Sequence, residues 1–392
     1  MINQILVNQI SQDPYDRLTA EMKKALENPD FRFDVHTHVF DYDHVPNSYF
    51  GTRLPISKKF LKKASDFLDK LIDGDDDIAS HLAHFIEFLN NNSLQDISKK
   101  MFDLYPTNQF AFCILMMDME YGVEKPAKDF DDQYREMINL KNSFPDKVLP
   151  FFAVDPRRPD VKERFIKAFS APDLFFGVKI YPALGYLPSD PILMEIFEVC
   201  EQKNIPITTH CGGYAVHTTH DEIEVRGLKA DAQGNYIPFT ETKSFGMPKS
   251  IGDYFNSPEN WIPVLKAFPK LRLNMAHFGG GSEWEIYVKE RLEIGRKSDT
   301  SVSQIIELMY QYENVYTDFA YTISRPYFYK TLRQLMDDNK VISERVMFGT
   351  DFYMVAMEGI FRAIKTEFTT AMGDKLMYKL ASENPRRFLF GK

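Results

Sequence analysis

The chain has 392 residues, 44% hydrophobic and 14% aromatic, which supplies a large core and carries too many rings for a disordered or low-complexity majority. A formal net charge of −9 with no basic stripe argues against a nucleic-acid partner. Cys113, Cys200 and Cys211 show no pairing pattern, which disfavours a disulfide framework or a paired-cysteine zinc site and fits a reducing compartment.

From the N-terminus, Met1 to Ile10 lacks a basic leader and an uninterrupted apolar stretch, and no later run has membrane-spanning length, so a cytoplasmic protein is expected. Short apolar, β-branched or aromatic runs then recur at 31–36, 110–117, 148–154, 175–181, 205–210, 271–277, 315–319 and 346–351. Helical patterns fill most of the gaps. Val161, Phe165, Ile166 and Phe169 make one stripe; Ile192, Leu193, Ile196, Phe197 and Cys200 make another, behind an Asp190 N-cap with Pro191 in the first turn. Strand then helix, eight times over, predicts an α/β fold: a (β/α)8 TIM barrel in one domain spanning 1–392. An open doubly wound sheet is the alternative, but it would usually carry a Gly-rich phosphate loop after an early strand, and no such loop occurs.

Two connections, 41–107 and 213–258, are too long for simple loops and are expected to fold over the C-terminal face of the barrel, shaping its pocket. The first carries helical patterns from Phe60 to Leu71 and from Ile78 to Leu89 around the acidic turn Asp73 to Asp77. The second, polar and Thr-rich, is expected to be irregular.

Strands of a parallel barrel are normally apolar on both faces, yet Asp34, His36 and His38 alternate with Phe33, Val35 and Thr37, which predicts three polar groups on one inward face. His-x-His spacing suits two ligands of one metal ion, although two histidines at a strand end also arise without a metal. Other runs end on ligand-type residues, namely His210, His277 and Asp351, each beside small residues that leave room. In barrels the carboxyl ends of the strands converge on the active site. Gly279 to Gly281 serve either as a plain turn or to let substrate approach the backbone.

Asp118, Asp155 and Arg157 suit contacts around such a site, and equally helix caps and salt bridges. His217 and His220 with Arg226 stand where they could line the mouth, the pair His81 and His84 reads as surface, and His44, soon after the first strand, is unassigned. Cys211 follows His210 directly and should point to the opposite face, which argues against a catalytic thiol.

Asp34-Val-His36-Thr-His38, Gly177-Val-Lys179-Ile-Tyr-Pro182, Thr209-His210-Cys-Gly-Gly213, Ala276-His277-Phe-Gly-Gly280 and Gly349-Thr-Asp351 together resemble the amidohydrolase superfamily. The branch they are most similar to is the amidohydrolase-related group that includes aminocarboxymuconate-semialdehyde decarboxylase, whose last helix also resembles Ser382 to Phe390. The resemblance runs from about residue 31 to the C-terminus, interrupted by the two insertions.

By that resemblance His36, His38, His210 and Asp351 hold one divalent metal, zinc first and manganese or iron as alternatives, and His277 acts as general acid or base. Asp351 would also accept a proton from water. Lys179 has three competing roles. It is an ammonium that, with Arg157, grips a substrate carboxylate, or a structural ion-pair partner, or a carbamylated bridge between two metals, in which case His277 becomes a ligand. The implied activity is hydrolysis of a small amide, ester or lactone by metal-activated water. Decarboxylation or hydration of an unsaturated or aromatic carboxylic acid is the alternative, and a non-catalytic barrel is a third reading. The expected partner is a small-molecule substrate, with neither nucleic acid nor membrane, and a homodimer fits the family.

Overall fold

The structure, a computed structural model, describes residues 4–47, 93–105, 109–212, 216–246, 248–292, 299–352, 354–355 and 361–391. Eight parallel strands form one sheet: β1 (Arg32–Thr37), β2 (Phe110–Leu115), β3 (Val148–Ala153), β4 (Gly177–Ile180), β5 (Ile207–Thr209), β8 (Leu273–Met275), β9 (Val315–Asp318) and β10 (Val346–Met347), hydrogen-bonded in that order. The last strand returns to the first, because Val35 N–H donates to Phe348 O at 3.0 Å and Asp351 N–H to His36 O at 2.7 Å. Helices alternate with the strands as expected; among them are Phe130–Ser143, Val161–Phe169, Pro191–Gln202, Ser301–Gln311 and Tyr329–Asp338. Asp190 caps its helix by accepting from Ile192 N–H, with Pro191 in the first turn. The result is the expected TIM barrel.

Burial divides each strand between two apolar layers. Phe33, Val35, Ala111, Cys113, Leu115, Phe151 and Met347 face inward and are closed off, where the strands begin, by Leu18, Met22 and Phe388 to Phe390. Phe112, Ile114, Phe152, Val178, Ile180, Ile207 and Met275 face outward onto helix residues such as Phe165, Ile196, Phe197 and Leu308. Cys113, Cys200 and Cys211 are all buried and unbridged. Among the described residues no helix is long and apolar enough to cross a membrane.

Two expectations need correction. Asp34 does not share a face with His36. Its neighbours in register are Phe33 beside Ala111 and Asp34 beside Phe112, so Phe33 is inward and Asp34 outward. Between Asp34 and Thr37 the register slips, three steps along β1 matching two along β2, and this bulge turns His36 back into the barrel. Outside, Asp34 accepts from Tyr105 Oη at 2.5 Å, Thr350 Oγ1 at 2.6 Å and the N–H groups of His36 and Thr350. Simple alternation could not foresee the extra residue.

The second insertion is not irregular. β6 (Glu222–Ala230) and β7 (Tyr236–Ser244) form an antiparallel hairpin, followed by the helix Pro248–Phe255. Ile223 and Val225 point inward from β6 onto Leu187, Ile251 and Phe255. The turn is set by Asp231, whose side chain accepts from Gln233 and Asn235 N–H, and by Gly234 at φ 82°. Of the first insertion, the described part ends in the helix Leu94–Asp103; the helical patterns of Phe60 to Leu71 and Ile78 to Leu89, with His81 and His84, lie outside the described residues.

Candidate metal centre

The carboxyl ends of the strands deliver the site. His36 lies in the bulge near the end of β1, Lys179 lies on β4, His210 follows β5, His277 follows β8, Asp318 ends β9 and Asp351 follows β10. All are at least nine-tenths buried, and His38, next to His36, is 9% exposed. His36, His38 and Asp351 offer one ligand atom each within 4.8 Å of one another. His210 is one ring away: its ring centroid is 4.7 Å from that of His277, which is 4.7 Å from that of His36. Gly349 makes the close approach possible, since a Cβ there would lie 2.9 Å from His36 Cβ.

The hydrogen bonds fix which nitrogen of each imidazole carries the proton. His38 Nδ1 faces Leu115 O at 2.8 Å, His277 Nδ1 faces Ala320 O at 3.0 Å, and His36 Nδ1 faces the Asp318 carboxylate at 3.0 Å. A carbonyl or carboxylate only accepts, so each of these nitrogens donates. Burial, reinforced by His36, pushes His277 down to about 3, so it is neutral at pH 7 and its Nε2 is a bare lone pair. That Nε2 lies 3.1 Å from His210 Nδ1, which must therefore donate. On His36 and His210 the nitrogen left over is Nε2, and among the described residues both Nε2 atoms are buried without a hydrogen-bond partner, as is Asp351 Oδ1. Burial also holds His38 and His210 well below 6.5, with His277, Lys179 and His36 among the further causes.

Native interiors rarely leave such groups unsatisfied. Two bare imidazole nitrogens and one carboxylate oxygen, with His38 beside them, make a donor set that fits a first-row divalent ion. Lys179 Nζ is likewise buried without a hydrogen-bond partner and sits 5.5 Å from the centre of the Tyr181 ring. Burial lowers its pKa to about 8, against the pull of Asp318 and Asp351. Asp351 is raised by burial in spite of His36 and Lys179. Strain gathers here too: His277, Phe278, Tyr321 and Asp351 all adopt positive φ, between 47° and 65°.

The other sequence candidates go elsewhere. Asp155 is gripped by Arg157 through Nε at 2.9 Å and Nη2 at 2.5 Å, and Asp118 by Arg158 at 2.8 and 2.9 Å. Arg157 thus opens not on the histidines but on a cavity of about 540 Å³ that it lines with Tyr121, Tyr186, His220 and Arg226. His217 Nδ1 bonds to Thr218 O, and Cys211 Sγ to Asn256 O, away from His210. Gly279 and Gly280 take positive φ, and Gly281 opens the helix Gly281–Leu292.

Sequence reading passed over two residues. Asp318 accepts from His36, and Asn274 of β8 donates to Asp318 at 2.7 Å. Their signal was present: each is a polar side chain inside an otherwise apolar strand.

The profile of the amidohydrolase family matches residues 33–391. Among solved structures, 5-carboxyvanillate decarboxylase of Novosphingobium aromaticivorans, complexed with manganese, is 12% identical with a TM-score of 0.53, over 92% of this chain and 96% of that one. For 2,6-dihydroxybenzoate decarboxylase from Rhizobium the figures are 13%, 0.52, 91% and 98%. For the probable 2-pyrone-4,6-dicarboxylic acid hydrolase of Acinetobacter baumannii they are 12%, 0.52, 92% and 100%. At such identities the likeness is one of fold. No curated protein matches the sequence. With the profile spanning nearly its whole length, the chain belongs to the amidohydrolase family.

Proposed function

We propose that the chain is a metal-dependent hydrolase of a small amide, ester or lactone, with His36, His38, His210 and Asp351 as ligands of one divalent ion. The observation that carries this reading is the set of buried donor atoms without partners: His36 Nε2, His210 Nε2 and Asp351 Oδ1. When bound there, a zinc or related ion would supply Lewis acidity, bringing the pKa of water toward neutrality and polarising a carbonyl.

The chain's own residues have the remaining tasks. Asp351, desolvated and beside the imidazoles, is the carboxylate placed to accept a proton from water. The Lys179 ammonium, buried and unpaired, favours the negative charge that grows on a carbonyl oxygen as water adds. His277 passes its backing to His210 and stands as the general acid or base for the leaving group once its Nε2 is released. A second reading, non-oxidative decarboxylation or hydration of a carboxylic acid, draws on Lys179 alone: the same ammonium suits the grip on a substrate carboxylate.

Elemental analysis of protein purified without added metal or chelator, set against His36→Ala/His38→Ala, tests the site. About one equivalent of metal, lost in the double variant, is the expected result; two equivalents would make Lys179 a carbamylated bridge, and none, even after reconstitution, would remove the reading. Turnover of amides, esters or lactones is then expected. Release of CO2 from aromatic or unsaturated acids with no hydrolytic turnover would decide for the lyase.

A further inference from the structure

Asp318 is fully buried at the end of β9 and accepts four hydrogen bonds. Oδ2 takes His36 Nδ1 at 3.0 Å and Asn274 Nδ2 at 2.7 Å; Oδ1 takes the N–H of His277 at 3.0 Å and that of Ala320 at 3.1 Å. We infer that Asp318 is a positioning residue of the metal centre, which fixes the His36 tautomer that leaves Nε2 bare and at the same time pins the strained turn that carries His277. The inference rests on the preceding assignment of His36 as a ligand.

Two features set Asp318 apart from an ordinary buried carboxylate. First, a neutral imidazole has one N–H, so an acceptor at Nδ1 decides the state of Nε2, and a carboxylate there orients the ring and strengthens its donor nitrogen. His38 and His277 find this acceptor in backbone carbonyls; His36 alone among the three depends on a side chain. Second, the remaining oxygen faces the backbone of His277, a non-glycine residue at φ 65°, whose conformation persists only if its surroundings hold it. One side chain therefore registers two histidines of different strands.

Asp318→Asn separates the roles. Its amide oxygen can keep the two backbone N–H groups, but its NH2 then meets His36 Nδ1, which must accept, and the proton moves to Nε2. Removing Asn274 takes a donor from the same oxygen without touching His36, so Asn274→Ala serves as the control. The measurement is zinc affinity by chelator competition on the full chain, with the fold of each stripped variant checked by thermal unfolding. Asp318→Asn is expected to weaken zinc binding roughly 10- to 100-fold, while Asn274→Ala stays within about threefold of wild type. Equal losses in both variants, or wild-type affinity in Asp318→Asn, would overturn the inference.

Long-range 1H–15N spectra of 15N-histidine wild-type protein, stripped of metal, give a readout that needs neither variant to fold nor zinc to bind. The His36 resonance, assigned by its loss in His36→Gln, is expected in the Nδ1–H form; an Nε2–H form sinks the inference. A wild type that binds no zinc yet shows the Nδ1–H form would remove the metal assignment and leave the tautomer control by Asp318 standing.

Discussion

Two sides of the barrel mouth use the same residue type to opposite ends. After β2 and β3, Asp118 and Asp155 are captured in two-pronged contact by the adjacent arginines Arg158 and Arg157, the first across 40 residues of chain and the second across two. On β9 and β10, Asp318 and Asp351 meet imidazoles and backbone instead, and Asp351 keeps an oxygen without any hydrogen bond. A carboxylate at a strand end is thus chemistry or scaffold according to whether a guanidinium claims it. The first side resembles a closed electrostatic account, the second an open one that a cation can complete.

The largest expected effect comes from exchanging the two sides. Asp351→Asn should lower kcat/KM roughly 10²- to 10⁴-fold, whereas Asp155→Asn, whose carboxylate is already spent on Arg157, should cost less than about tenfold and leave metal content unchanged. Steady-state kinetics with metal analysis on both variants checks this. Loss of metal or of activity in Asp155→Asn equal to that in Asp351→Asn would break the distinction between the two sides.

Stability should run the other way. Asp118 and Arg158 are both buried, and Arg158 also contacts Glu120 at 2.9 Å and lies 4.3 Å from the centre of the Phe130 ring. Asp118→Ala leaves that guanidinium short of its two-pronged partner, with an expected loss of about 3 kcal/mol in urea unfolding. Metal content should be unaffected. A loss below about 1 kcal/mol would mean that Glu120 compensates fully, and that the captured side is held by packing rather than by charge.

Much of this division was legible in the sequence, and the exceptions have physical causes. Eight apolar runs and their polar ends were enough for the barrel, because parallel strands are buried on both faces and any polar residue there stands out. His36, His38 and Asp351 stood out in that way and meet in the structure. Asp34 stood out equally but faces the other way, since a one-residue bulge reverses the alternation and only the register against β2 reveals it. For Arg157 the sequence left substrate contact and salt bridge open, because it shows a cation near the site but not its partner; in the structure Asp155 holds it. The hairpin of the second insertion was hidden because its outer face is polar and its inner stripe is only Ile223, Val225 and Gly227.

A third carboxylate group extends the comparison and has the smallest expected effect. Asp41, His44 and Glu136 offer ligand atoms within 4.8 Å of one another, so by donor count alone they match the metal triad. Lys128 distinguishes them, because its ammonium contacts both Asp41 and Glu136 and completes the charge that a metal would otherwise supply. Burial pushes the His44 imidazole down, but Asp41 and Glu136, the latter 2.6 Å from Nε2, outweigh it and the pKa stands above 6.5. Against the same burial penalty, His44 and Lys128 hold Asp41 and Glu136 below their usual range.

A raised histidine contributes stability below its unfolded pKa and loses it as pH rises through the folded value; lowered carboxylates contribute above their unfolded pKa and lose it on acidification. The network should therefore stabilise most between about pH 4.5 and 6.5. Urea unfolding free energies of wild type and His44→Gln from pH 5 to 9 are expected to converge as pH rises, the gap shrinking by on the order of 1 kcal/mol. A gap independent of pH would show that His44 is not charged in the folded chain. Lys128 would then face two carboxylates alone, and the excess negative charge would make this group, like the triad, open to a cation.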